Sequence, residues 1–98
     1  MITIQTFQKL VHQNAINHGW WEDERPVPEI LCLIHSEVSE ALEAYRDGDD
    51  ELFKEEMADI GIRLLDAAGG YGFDLMEEMQ KKHRKNLKRP YRHGGKRC

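Results

Sequence analysis

Apolar residues recur along this chain at intervals of three and four, in four stretches separated by Gly-, Pro- and Asp-containing breaks. That is the period of amphipathic helices, not the alternation of strands. The first stretch predicts a helix from about Thr3, a fitting N-cap, to Gly19, with Ile4, Phe7, Leu10, Val11 and Ile16 at helical spacing. A connection from Trp20 to Pro28 follows, carrying two Trp, three acids and two Pro. The second helix is expected from about Pro28 to Arg46, with proline in its first turn. Asp47-Gly48-Asp49-Asp50 reads as a turn, and the third helix runs from about Glu51 to Ala68, stopping at Gly69-Gly70. Asp74 opens the fourth helix, with Glu77 three positions on as a capping box, and Pro90 ends it.

The polar positions are more informative than the apolar ones. In the second helix Ile30, Leu33, Ile34, Val38, Ala41, Ala44 and Tyr45 share one arc; Glu37 falls inside it and Glu40 at its edge. In the third, Phe53, Met57, Ile60, Leu64 and Ala67 form one apolar arc and Ala58, Ile62 and Leu65 another. Between them runs a polar strip of Glu56, Asp59, Arg63 and Asp66. A helix with apolar flanks on both sides of its charges is surrounded by other helices, and the charges line an internal cleft. The pairs Glu37/Glu40 and Glu56/Asp59, each at i, i+3, then converge from two antiparallel helices. Carboxylates so placed repel one another unless cations join them, and hard oxygen donors suit Mg²⁺, with Mn²⁺ as a substitute.

On the fourth helix Leu75, Met76 and Met79 define the inward side, and Lys82, Asn86 and Arg89 continue it. Lys81, Arg84, Lys85 and Lys88 point elsewhere, as a solvated face. The inner set supplies charge-assisted and neutral hydrogen bonds of the kind phosphate accepts. Trp20 and Trp21 are candidates for stacking on a nucleobase; the commoner role for such a pair is to staple a loop to the core.

Composition narrows the picture. Ninety-eight residues make one small domain, 1–98, whose core is completed by association with further copies. No apolar run reaches membrane-spanning length, the N-terminus has no signal-peptide pattern, and Cys32 and Cys98 do not make a disulfide framework, so a cytoplasmic setting is expected. Cys32 and His35 lie away from the acidic face with no second ligand pair, which argues against zinc, and Ser36 and Ser39 lack a base. The net charge of −4 hides a division: residues 81–98 hold nine Lys or Arg and no acid, whereas residues 1–80 hold five basic residues against all 18 acids. The basic tail, about 90–98, leaves nucleic acid as a less favoured partner.

Three segments together resemble the MazG-type family of all-α nucleoside triphosphate pyrophosphohydrolases. Leu33-Ile34-His35-Ser36-Glu37-Val38-Ser39-Glu40-Ala41-Leu42-Glu43-Ala44 is similar to its first metal-binding segment and Glu55-Glu56-Met57-Ala58-Asp59-Ile60 to its second. Gly72-Phe73-Asp74-Leu75, Lys82, Lys85-Asn86 and Arg89-Pro90 resemble its final helix. The resemblance implies an all-α, four-helix bundle-like domain working as a homodimer or homotetramer. It implies Mg²⁺-dependent cleavage of a (deoxy)nucleoside triphosphate between the α- and β-phosphates, to monophosphate and pyrophosphate. Carried over by position, Glu37, Glu40, Glu56 and Asp59 are metal ligands and catalytic residues, and Lys82, Asn86 and Arg89 contact phosphate. Ser36 stands where many members have a further acid. The competing expectations are phosphoribosyl-ATP pyrophosphohydrolase activity and a non-enzymatic helical module binding nucleic acid through the basic tail.

Overall fold

In a computed structural model, which describes residues 1–91, the chain is all-helical: α1 Ile4–Asn17, α2 Val27–Arg46, α3 Asp50–Tyr71 and α4 Leu75–Leu87. Residues 92–98, most of the basic tail together with Cys98, lie outside the described residues. No described helix is long and apolar enough to cross a membrane.

Three of the four helices begin where a side chain takes an orphan amide, and α2 begins at Pro26 with no side-chain cap and a proline in its first turn instead. Thr3 Oγ1 accepts from the Thr6 amide at 3.0 Å, Asp49 Oδ1 from Leu52 at 3.0 Å, and Asp74 Oδ1 from Glu77 at 3.2 Å. Beside this cap Gln8 Oε1 accepts the Leu75 amide and its Nε2 donates to the Phe73 carbonyl, tying α1 to the α3–α4 turn. Gly19 and Gly72 take φ of +81° and +79° and end α1 and α3 with bonds from Trp20 N to Ala15 O and from Phe73 N to Ala68 O.

The longest helix, α3, is the hub. α2 and α1 both pack against it, antiparallel, but among the described residues they do not pack on each other, and α4 meets only α1 and α3. The four helices therefore do not close into a bundle within one chain; α1 and α2 are walls and α3 the floor of an open cleft. The buried apolar side chains are few and mostly small, namely Ile30, Ala41, Ala44 and Ala68. Alanines let α2 and α3 approach closely, whereas Leu31, Val38, Leu42 and Tyr45, one stripe along α2, stay 48–69% exposed.

Two sequence expectations change. Gly69-Gly70 does not stop α3, which continues to Tyr71. These glycines are sites of close approach: an added Cβ at Gly69 would lie 2.7 Å from His12 Cγ, and at Gly70 it would run into the Trp21 ring at Cη2. Second, α4 ends at Leu87 with Lys88 as its cap, short of Pro90, so Arg89 does not share the α4 inner face. A residue before proline is pushed out of helical geometry.

Gly70→Ala should lower stability by about 1–2 kcal/mol through overpacking on Trp21. Gly61→Ala, with open space at its Cβ in the same helix, should raise stability by up to about 1 kcal/mol through helix propensity. Urea midpoints of the two variants check the contrast.

Candidate metal centre

Glu37 sits on the arc of α2 that carries Ile30, Ala41 and Ala44, the face turned to α3. One helix is thereby obliged to aim a carboxylate where its packing residues point. The result is that carboxylate oxygens of Glu37, Glu56 and Asp59 all lie within 4.8 Å of one another. Glu40, exposed one turn along α2, reaches Glu56 as a hydrogen-bonding neighbour. The structure thus brings together three of the acids singled out from spacing, Glu37, Glu56 and Asp59, with Glu40 exposed beside Glu56.

Glu56 is the centre of this set. It is half-buried, and its Oε2 is shielded from solvent without a donor. Two carboxylate oxygens are both acceptors, so the Glu40–Glu56 contact is a hydrogen bond only while one of them carries a proton. The Glu56 carboxyl is accordingly raised above its ordinary 4.5, first by desolvation, then by the hydrogen bond with Glu40, then by the charges of Glu40, Asp59 and Glu37. A shielded acceptor with no donor, facing further carboxylates, is matched by a hard divalent cation, which would take oxygen donors from Glu37, Glu56 and Asp59, with Glu40 adjoining.

One cation of the chain already reaches this group. Arg63 Nε lies 3.2 Å from Glu37 Oε1, and its guanidinium carbon is 4.7 Å from the Trp20 ring centre. Arg25 lies 3.9 Å over the same ring and donates to the Trp20 carbonyl at 2.8 Å. Trp20 is thus enclosed by two guanidiniums. Trp21 is turned inward: its Nε1 donates to Asp66 Oδ1 at 3.0 Å, and it meets His12 and Tyr71 edge-on at 5.4 and 6.1 Å between ring centres. The same Asp66 oxygen accepts from His12 Nδ1 at 2.8 Å. The two tryptophans staple the α1–α2 connection to α3.

Beside the acids opens a cleft of about 490 Å³ between α1 and α2. Phe7, Leu10, Val11, Ala15 and Ile62 make its apolar side, and Asn14, Glu37, Asp59, Arg63 and Asp66 its polar side. Neither Trp20 nor Trp21 lines it, nor do Lys82, Asn86 or Arg89, all three exposed. The expected inward placement of that basic trio is therefore not found within the chain. The physical reason is that, among the described residues, Asp74, Leu75 and Met76 are the half-buried anchor of α4, and residues 77–91 are exposed.

Sequence reasoning did not find His12 and did not single out Asp66, which it had only placed in the α3 strip. The available signal was Gly69-Gly70 inside a helical pattern, since paired small residues mark a place where bulky groups from elsewhere come close. The chain matches no family model, no curated protein and no solved structure.

Because Glu56 is raised in the folded state, its ionisation costs stability that appears as pH climbs from 4.5 through the native value. In EDTA, Glu56→Gln should therefore melt at a higher temperature than the parent at pH 7.5, and the gap should shrink as pH is lowered toward 4.5. Glu43→Gln, on an exposed position, should match the parent throughout. Thermal melts over that pH range read both outcomes.

Proposed function

We propose that the chain is a Mg²⁺-dependent nucleotide pyrophosphohydrolase of the MazG type, cleaving a (deoxy)nucleoside triphosphate to the monophosphate and pyrophosphate. The observation that carries this reading is the shielded, donorless Glu56 Oε2 among three further carboxylates at the edge of an open cleft. The family resemblance of the segments around Glu37, Glu40, Glu56 and Asp59 supports it independently of the geometry.

A bound divalent cation would supply Lewis acidity for attack of water on the phosphoric anhydride. The chain's own residues do the rest. Glu37, Glu40, Glu56 and Asp59 hold the cation and leave one carboxylate oxygen to orient the incoming water and take its proton. Arg63 keeps Glu37 in position through its 3.2 Å contact and adds positive charge at the polar wall. Phe7, Leu10, Val11 and Ala15 give the opposite side an apolar lining.

In this reading the working unit is a homodimer or homotetramer. The uncovered stripe Leu31, Val38, Leu42 and Tyr45, with Met57 and Leu64 on α3, is the surface a second copy would cover. Lys82, Asn86 and Arg89 serve as phosphate contacts only when presented by a neighbouring copy, because within one chain they lie outside the cleft.

Incubation with a panel of nucleoside triphosphates and Mg²⁺ should yield monophosphate and pyrophosphate, and Glu40→Gln or Asp59→Asn should each cut turnover by on the order of 100-fold or more. Orthophosphate with a diphosphate, or no turnover on any nucleotide, contradicts the assignment. Sedimentation at micromolar concentration should give a dimer or larger; a monomer contradicts the oligomeric part.

A further inference from the structure

The outer face of α4 is left over by everything above. Lys81, Arg84, Lys85 and Lys88 fall within about 100° of the helix wheel, and with Lys82 and Glu78 they line a shallow surface concavity. Lys81 is engaged by Glu77 and Glu78, each 3.4 Å away. Arg84, Lys85 and Lys88 make no ion pair among the described residues, and all are exposed. Uncompensated cations on a projecting helix contrast with a body, residues 1–80, that holds all 18 acids and five basic residues.

We propose that this face of α4 binds the sugar-phosphate backbone of duplex DNA, without reading sequence, as a property separate from the hydrolytic site. The charge density fits. Lys81 to Lys88 spans about 10 Å of helix at 1.5 Å per residue, and duplex DNA carries one phosphate charge per about 1.7 Å of axis. A single projecting helix is also what the major groove, about 12 Å wide, admits. The acidic body repels the polyanion and leaves α4 as the element that approaches it. An anionic membrane is a poorer fit: Leu75 and Met76 are half-buried against the body, which leaves only Met79 and Leu87 as exposed large apolar side chains on α4.

The test is fluorescence anisotropy of a labelled 20-base-pair duplex of arbitrary sequence, in EDTA, between 50 and 200 mM KCl. Four phosphate contacts give a log–log salt slope of at least about −3.6, so affinity should fall by roughly 100-fold over that range. The variant Arg84→Gln/Lys85→Gln/Lys88→Gln, altered only at exposed positions, should keep the parent's helix content and lose nearly three units of slope at about 0.9 per contact. Absence of binding at 50 mM KCl overturns the proposal, as does a slope unchanged in the triple variant. Tighter binding to vesicles of phosphatidylserine and phosphatidylcholine than to the duplex overturns it in favour of a membrane partner. Self-association of the parent that the triple variant abolishes, without duplex binding, overturns it in favour of a second copy.

Discussion

Four carboxylates meeting at one edge of a helical hairpin set a condition that the rest of the structure has to satisfy. Glu37 is carried on the arc of α2 that holds Ile30, Ala41 and Ala44, so the packing that joins α2 to α3 also drives an acid toward Glu56 and Asp59. That juxtaposition cannot be relieved by turning the helix without exposing the buried residues. Relief comes instead from a proton shared between Glu40 and Glu56 or from a cation. The Glu56 carboxyl is raised, so it takes up a proton more readily than a free carboxyl, and its donorless Oε2 is what makes a cation attractive.

Around this group the remaining polar contacts work as spacers. Asp66 takes two donors on one oxygen, from His12 on α1 and Trp21 on the connection, and Gly69 and Gly70 let both side chains lie directly on α3. This fixes the lower end of α1 and the loop while leaving α1 and α2 apart, which is why a cleft opens beside the acids instead of a closed bundle. Arg63 links the two regions, touching Glu37 on one side and the Trp20 ring on the other. Among the described residues the buried apolar core is three alanines and one isoleucine, and larger apolar side chains such as Leu31, Leu42 and Tyr45 stay exposed.

Much of this was legible from spacing. Helix type, the caps at Thr3 and Asp74, and the convergence of Glu37, Glu40, Glu56 and Asp59 follow from the 3.6-residue period and from the residue types that satisfy helix ends. What was not legible depends on distance between elements. Gly69-Gly70 reads as a terminator because glycine is costly within a helix; only the approach of His12 and Trp21 explains its use there. Lys82 and Asn86 share a helical face with Met79 on the wheel, but a wheel does not say whether that face has anything to pack against, and beyond Met76 it has not. The functional reading inherits the same division, with the acids resting on geometry and the phosphate contacts on a neighbouring copy.

Calorimetric titration of Mn²⁺ into EDTA-stripped protein at several pH values tests the central claim most directly. If the Glu56 group is a cation site, binding is saturable, the metal competes with protons for the carboxylates so that affinity rises with pH, and Glu56→Gln abolishes it. No saturable binding up to about 10 mM, a range covering weak carboxylate sites, would contradict the account, as would binding unaffected by Glu56→Gln.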